Sequence, residues 1–118
     1  MAKMVIFCGS DEPEKAFPPF MLGMGALASD MELLLFFSMS GLNIVRKGGA
    51  EKIKLPGAAM TLPQYIEKAV ELGARFVVCS AVFPIFDVGE DDFIDAATIG
   101  GVATFVSEAE EAEIVLSF

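Results

Sequence analysis

The sequence predicts an α/β sandwich built around a mainly parallel sheet of four to five strands. Short apolar runs alternate with segments of helical periodicity along the 118 residues, without a repeat or a low-complexity tract. Runs that are apolar on both faces are typical of parallel strands covered from both sides, and this alternation favours right-handed crossovers. The length predicts one domain, residues 1–118, with no internal boundary.

The first half of the chain contains two predicted strands. Lys3 to Gly9 is apolar on both faces, and Glu32 to Phe37 repeats the pattern. The segment between them predicts a helix from about Lys15 to Ser29. A short helix, Leu42 to about Arg46, follows the second strand, and Gly48-Gly49 is expected to end it.

The second half begins with a strong helix signal. Thr61-Leu62-Pro63-Gln64 combines a capping box with a proline in the first turn, and Gly73 is expected to close the helix. Arg75 to Ser80 is rich in β-forming residues and predicts a strand. The remaining elements are a bend or short helix, a helix and a last strand, at Val82–Val88, Gly101–Glu111 and Glu113–Phe118.

The composition limits the classes of partner. The net charge of −9 argues against nucleic acid or an anionic membrane as the main partner. The 54% share of hydrophobic residues exceeds the usual ~45–50%, so we expect a homo-oligomer. Prolines and acidic residues interrupt the apolar stretch Phe17 to Phe37, and no signal peptide is recognisable. We therefore expect a cytoplasmic protein with reduced thiols.

The residue types and motifs that the chain lacks exclude several classes of catalysis and metal binding. The chain has no histidine, which excludes Ser-His-Asp and Cys-His catalysis. Two cysteines without histidine cannot form an ordinary zinc site, and no C-x-x-C motif is present. The segment Gly23 to Ala28 imitates a dinucleotide fingerprint, but it lies inside a predicted helix, where its glycines serve packing. No cofactor and no metal are expected.

The two thiols are the remaining candidates for chemistry. Cys8 and Cys79 both fall at carboxyl ends of predicted strands, where open α/β sheets bind ligands. If the two strands are neighbours, the thiols open onto the same edge. A helix starting just after Cys79, with Pro84 in its first turn, would favour the thiolate. Buried cysteine is also a common small hydrophobe, so from spacing alone packing stays the more frequent role for either residue.

Four further residues are candidates for supporting roles near this edge: Cys8, Ser10, Asn43 and Ser80. Ser10 and Asp11 follow the first strand and could hydrogen-bond an anion or cap the next helix. Asn43 could serve a site at the end of the second strand or hold a turn. The charges of Arg46 and Lys47 are interpreted as solvated helix-end charges.

One block of the chain resembles the DsrE/DsrF-like family of sulfur-relay proteins, some of which are labelled peroxiredoxins. Residues 36–47 read FFSMSGLNIVRK, two aromatics and a spacer before Gly-Leu-Asn and a basic pair. Phe17-Pro18-Pro19 and the cysteine that ends Arg75 to Cys79 also look like this family. The resemblance implies a three-layer α/β/α fold, trimers or hexamers, and sulfur relay in the cytoplasm. It further implies that Cys79 carries sulfur as a persulfide to a small carrier protein.

Two alternatives to this sulfurtransferase-like function stay open, and so does the question of whether the protein is an enzyme. The first is a non-catalytic oligomeric module of the same fold, favoured by the apolar Val82 to Phe86 where the related branch is polar. The second is a thiol peroxidase. Leu72 and Phe76 stand before Cys79 where peroxiredoxins have Pro and Thr or Ser, so this alternative ranks lowest.

Overall fold

The computed structural model describes all residues, Met1–Phe118, and contains one five-stranded sheet. Its strands are Lys3–Cys8 (β1), Glu32–Phe37 (β2), Arg75–Cys79 (β3), Ala97–Gly100 (β4) and Ile114–Ser117 (β5). The order across the sheet is β4-β3-β2-β1-β5, and every neighbouring pair is parallel. The predicted α/β fold with a parallel sheet is confirmed.

Six α-helices connect the strands, together with four single turns of 3₁₀ helix. The helices are Pro13–Ala16 (α1), Pro18–Ala28 (α2), Leu42–Val45 (α3), Leu62–Glu71 (α4), Phe83–Phe86 (α5) and Val102–Glu110 (α6). None of them is long and apolar enough to cross a membrane.

The helices cover the two faces of the sheet unequally. From β1 to β4, each strand lies beside the previous one, and the order advances across the sheet in a single direction. Because the crossovers are right-handed, α2 and α4 lie on the same face. The last connection returns across the sheet to β5, so α6 lies on the opposite face. The face under α2 and α4, the first face, holds a core of 22 buried residues. The second face, under α6, holds a core of 5.

The fourth strand was missed by the sequence pattern. Ala97–Gly100 is only 4 residues long, lies at the sheet edge and has its two central residues exposed. A strand of this kind buries too little apolar surface to show the alternation on which strand prediction depends. Its neighbour β3 provides the pairing, with Phe76 opposite Ala97 and Cys79 opposite Gly100.

The helix predicted over Lys15 to Ser29 is two helices, and the prediction of a single one was wrong. Pro18 and Pro19 have no N–H to donate, so the ladder of hydrogen bonds is interrupted there. Phe17, between the helices, keeps helical dihedral angles of φ −75° and ψ −44°. Gly23 faces the sheet, where a Cβ atom would lie 2.7 Å from Cδ2 of Leu33. The helix-packing interpretation is thus confirmed for this glycine.

The capping box before α4 is present as predicted. The Thr61 hydroxyl accepts a hydrogen bond from the Gln64 N–H at 3.3 Å, and the Gln64 side-chain oxygen accepts one from the Thr61 N–H at 2.8 Å. The helix ends before Gly73, whose φ of +89° is a left-handed conformation that glycine adopts without a steric penalty. This start and this end fix the length of α4, which packs its buried residues on the first face.

Candidate functional site

Cys79 is the last residue of β3 and lies opposite Gly100 of β4, at the carboxyl edge of the sheet. The position along the strand is the one that the sequence predicts. The residue is only 1% exposed, however, and belongs to the smaller core on the second face. That core consists of Val5, Leu34, Phe36, Val77 and Cys79. The thiol is therefore enclosed between the sheet and α6.

The alternation of side chains along β3 decides which face receives the thiol. Val77 and Cys79 point to the second face, while Phe76 and Val78 belong to the first-face core. Phe105 of α6 packs over this small core, and the centroid of its ring lies 5.2 Å from the centroid of the Phe36 ring. The same alternation that makes β3 a good buried strand thus places its terminal cysteine in an apolar environment.

Cys8 lies on the opposite face of the sheet from Cys79. Strand β2 separates β1 from β3, and the registers place Cys8 level with Phe37 and Phe37 level with Val78. The predicted condition of adjacent strands is therefore not met. Both cysteines end strands at the carboxyl edge, but their thiols lie on opposite faces of the sheet. The Cys8 Sγ donates a weak hydrogen bond to the Ile6 carbonyl at 3.8 Å. Both thiols are free, and their opposite faces exclude a disulfide between them.

The environment of Cys8 is that of a packing residue. It is 1% exposed and sits in the larger core with the helices α2 and α4 above it. This burial raises the pKa of the Cys8 thiol above its ordinary value, because the charged thiolate would lose its hydration there. At neutral pH Cys8 is a neutral thiol.

The short helix predicted over Val82–Val88 is present as α5, with Pro84 in its first turn. A 3₁₀ turn, Ser80–Val82, comes first, and α5 then has only 4 residues before Asp87 adopts a left-handed φ of 52°. So short a helix has little dipole to stabilise a thiolate. The Ser80 hydroxyl donates to the Gly100 carbonyl at 3.1 Å, so it ties the end of β3 to the end of β4.

Three other candidate residues, Asp11, Asn43 and Arg46, meet in a second place, at the carboxyl ends of β1 and β2. The Asn43 side-chain amide donates to the Asp11 carboxylate at 2.9 Å, and Arg46 donates to the Asn43 side-chain oxygen at 3.4 Å. The Ser10 hydroxyl accepts from the Glu12 N–H at 3.1 Å, as in a local turn. Asp11, Asn43 and Arg46 line one polar pocket, which contains no residue from Cys79 to Phe86.

Sequence reasoning missed Lys52 as a member of this group. It lies six residues after Arg46, beyond the Gly48-Gly49 turn, and the structure brings it to the same pocket. A signal was present in the sequence, since four of the eight basic residues fall between positions 46 and 54. A separate apolar cavity of about 630 Å³ lies between the loop 50–61 and the start of α4, and contains neither cysteine.

These features define a small α/β protein with a parallel sheet and a thiol at the end of an inner strand. The chain matches the DsrE/DsrF/DrsH-like family in two overlapping pieces, residues 1–59 and 56–117, and it belongs to that family. The resemblance identified from the Gly-Leu-Asn block is confirmed. The two pieces overlap in the loop before α4.

Two relatives in sequence cover nearly the whole chain. An uncharacterized protein of Bacillus subtilis, YrkE, is 27% identical over 151 aligned positions, which cover 96% of this chain and 93% of YrkE. The sulfur carrier protein DsrE2 of Allochromatium vinosum is 25% identical over 153 positions, which cover 97% of this chain and 96% of DsrE2. Both alignments are longer than the 118 residues of this chain, so the relatives carry residues that it lacks.

A solved structure supports the architecture. The YchN protein of Escherichia coli superposes with a TM-score of 0.80 at 21% sequence identity, with 100% of both chains covered. At this level of identity the similarity shows a common fold. It agrees with the five-stranded parallel sheet flanked by helices described above.

Proposed function

We propose that the protein is an intracellular sulfur-relay protein that carries sulfane sulfur as a persulfide on Cys79. Membership of the DsrE/DsrF/DrsH-like family and the sulfur carrier among its relatives support sulfur relay at the level of the family. The observation that carries the choice of residue is the contrast between the two thiols. Both cysteines end strands at the carboxyl edge of the sheet, but Cys8 lies in the larger core beneath α2 and α4, whereas Cys79 lies in the five-residue core on the second face and is followed directly by the short segment Ser80 to Phe86.

The proposed step is a thiol exchange at sulfane sulfur. The Cys79 thiolate attacks the outer sulfur of a donor persulfide or polysulfide, a new S–S bond forms, and the donor's S–S bond breaks. The donor leaves as a thiolate that takes up a proton, and no external oxidant or reductant is needed. An acceptor thiolate then attacks the outer sulfur of the Cys79 persulfide and releases the free cysteine. We propose that the acceptor is a small sulfur-carrier protein.

Access to the sulfur requires the segment from Ser80 to Phe86 to move. This segment consists of one 3₁₀ turn and the 4-residue α5, with no side-chain cap on either. Ile85 is 65% exposed, and Val82 is the residue of the segment that packs against the small core. Val82, Phe83 and Phe86 also pack against the larger core, but no residue of the segment is fully buried, so we expect its local opening to need less free energy than global unfolding.

The proposal predicts that Cys79→Ser abolishes sulfur uptake. Wild-type protein treated with polysulfide is expected to gain the mass of one sulfur atom, and so is Cys8→Ser, which keeps the working thiol. Intact-mass spectrometry before and after treatment with dithiothreitol measures the gain and its reversal. If Cys79→Ser takes up sulfane sulfur as well as wild type does, Cys79 is not the carrier.

The burial of Cys79 favours a second candidate, a non-catalytic module of the same fold. The 1% exposure and apolar neighbours of Cys79 are those of a packing cysteine. This candidate predicts that folded protein reacts with iodoacetamide at neutral pH as slowly at Cys79 as at Cys8, and that polysulfide adds no sulfur. Faster alkylation of Cys79, measured in the Cys8→Ser variant, would favour the sulfur carrier.

We also propose that the protein assembles into a trimer or hexamer through the outer side of α6. Val102 and Val106 are one turn apart on this helix and are 63% and 58% exposed. Apolar side chains repeated at this spacing form a ridge that a second copy can bury.

Analytical ultracentrifugation tests this assembly. Val102→Ser combined with Val106→Ser is expected to shift the protein from an oligomer to a monomer. The matched control combines Val70→Ser with Leu72→Ser, which change side chains of similar exposure, 42% and 49%, at the end of α4. A monomeric wild type would overturn the proposal, and so would equal dissociation of both double variants.

A further inference from the structure

The basic residues of this acidic chain fall into two groups. Four of the eight make ion pairs with carboxylates: Lys3, Lys15, Lys68 and Arg75. The other four, Arg46, Lys47, Lys52 and Lys54, make none, and all of them lie within nine residues of sequence. A chain with 17 acidic residues has ample carboxylates to neutralise them. The cations that remain unpaired are therefore concentrated in one place.

Three of these cations line the same cavity. Arg46, Lys47 and Lys52 surround the polar pocket of about 610 Å³ at the carboxyl ends of β1 and β2, and Asn43 lines it with them. Only one of its nine lining residues, Ile53, is hydrophobic. Pockets for small molecules are about 300–1,000 Å³ in volume, so this one can hold a whole small molecule rather than a single ion.

The pocket is organised by hydrogen bonds and by a tight turn. Two side-chain hydrogen bonds, from Asn43 to Asp11 and from Arg46 to Asn43, position the guanidinium in the pocket. The turn at Gly48-Gly49 brings Lys52 back toward Arg46. Gly48 has a φ of +79°, and a Cβ on Gly49 would lie 2.0 Å from the Asn43 carbonyl oxygen. Only glycine permits this close approach, which sets the spacing of the cations.

The carboxylates at the pocket do not neutralise these cations. Asp11 accepts from the Asn43 amide, and Glu12 pairs with Lys15 at 3.6 Å. The donors of Arg46, Lys47 and Lys52 make no bond to a carboxylate. Arginine offers a planar pair of N–H groups that matches two oxygens of a tetrahedral oxyanion, while lysine adds a point charge.

We propose that this pocket binds a small molecule that carries a tetrahedral oxyanion, a phosphate or a sulfate group. Arg46 binds two oxyanion oxygens, and Lys47 and Lys52 supply the remaining charge. The site is independent of the proposed sulfur chemistry, because its lining shares no residue with the surroundings of Cys79.

Isothermal titration calorimetry of the full chain at low salt tests the site. Inorganic pyrophosphate, phosphate and sulfate are titrated separately, which distinguishes the two kinds of oxyanion. For pyrophosphate we expect a dissociation constant of about 1 mM or lower. Arg46→Gln is expected to weaken binding about tenfold, and Arg46→Lys to weaken it less. Lys47→Gln and Lys52→Gln should each weaken it about threefold.

The control variant carries the same loss of charge elsewhere. Lys68→Gln removes an exposed lysine of α4 outside the pocket, and it should bind pyrophosphate as wild type does. The proposal is overturned if no oxyanion binds, or if Lys68→Gln weakens binding as much as Arg46→Gln. It is also overturned if an acidic peptide binds through Arg46 and Lys52 while the oxyanions do not, because the surface would then dock a protein.

Discussion

Replacement of Gly41 by alanine is expected to lower the free energy of unfolding by about 3 kcal/mol or more. A Cβ at this position would lie 1.9 Å from the Cys8 carbonyl oxygen and 2.7 Å from its carbon. Both are backbone atoms of β1, and that carbonyl accepts a hydrogen bond from the Ser38 N–H at 3.1 Å. The clash can be relieved only if the end of β1 separates from the turn after β2.

The control for this prediction is Gly25→Ala. Gly25 is inside α2, and a Cβ there meets nothing within 4 Å. Because alanine is the better helix former, Gly25→Ala is expected to stabilise the protein by about 0.5–1 kcal/mol. Urea denaturation measures both variants, with unchanged m-values as the sign of an unchanged two-state transition. A Gly41→Ala protein within about 0.5 kcal/mol of wild type would contradict the predicted clash.

The Gly-Leu-Asn block has a structural role in this fold. Gly41 has a φ of −61°, which any residue adopts, so its role is to leave room rather than to permit a strained backbone. Leu42 is fully buried in the larger core, and Asn43 bonds Asp11. The most distinctive part of the sequence therefore holds the ends of β1 and β2 together. It is related to Cys79 only through the sheet to which both are attached.

Glu108→Gln is expected to destabilise the protein by about 2 kcal/mol at pH 7. The Glu108 carboxylate on α6 accepts hydrogen bonds from Arg75 at 2.7 and 3.1 Å and also bonds the Lys3 ammonium. Lys3 and Arg75 start β1 and β3, so this carboxylate fixes α6 across the sheet. The Lys3 side chain is only 7% exposed, and its other carboxylate partner, Glu111, is 3.7 Å away. Removing the Glu108 charge leaves the buried Lys3 ammonium with only the more distant Glu111 carboxylate as a counter-charge.

The same group makes stability depend on acid pH. Hydrogen bonds from Arg75 and then from Lys3 lower the pKa of Glu108 to about 2. A carboxyl with a depressed folded-state pKa contributes stability above its unfolded pKa of about 4.3, and that contribution is lost as the pH falls toward 2. Because the Glu108 side chain is 23% exposed, solvent screening limits the contribution to about 1–2 kcal/mol.

Denaturation of wild type and Glu108→Gln across this pH range measures the contribution. The difference between their free energies of unfolding should be largest near neutral pH and should shrink as the pH falls from about 5 to about 2. Glu110→Gln, on the same helix at an exposed position without an ion pair, is the control and should follow wild type. A difference that stays constant down to the lowest pH would mean that the Glu108 charge does not hold α6.

Much of the fold could be predicted because its signals are local. Buried strands such as Glu32–Phe37 are continuous apolar runs, and the Thr61 capping box acts within one turn of helix. The edge strand Ala97–Gly100 could not be found, because its short exposed run carries no periodicity of its own. The break at Pro18 had a clear local cause in the missing N–H groups.

The sequence by itself determined that the protein is an α/β domain, because its buried strands and helix caps are local signals, and it left the two thiols as the candidate reactive groups. Only the tertiary structure decided that Cys8 and Cys79 lie on opposite faces, and that Cys79 is buried in the smaller core on the second face. It also brought Lys52 to Arg46 and Glu108 to Lys3. The physical reason is that strand order and helix placement depend on contacts between distant residues, which no local pattern records.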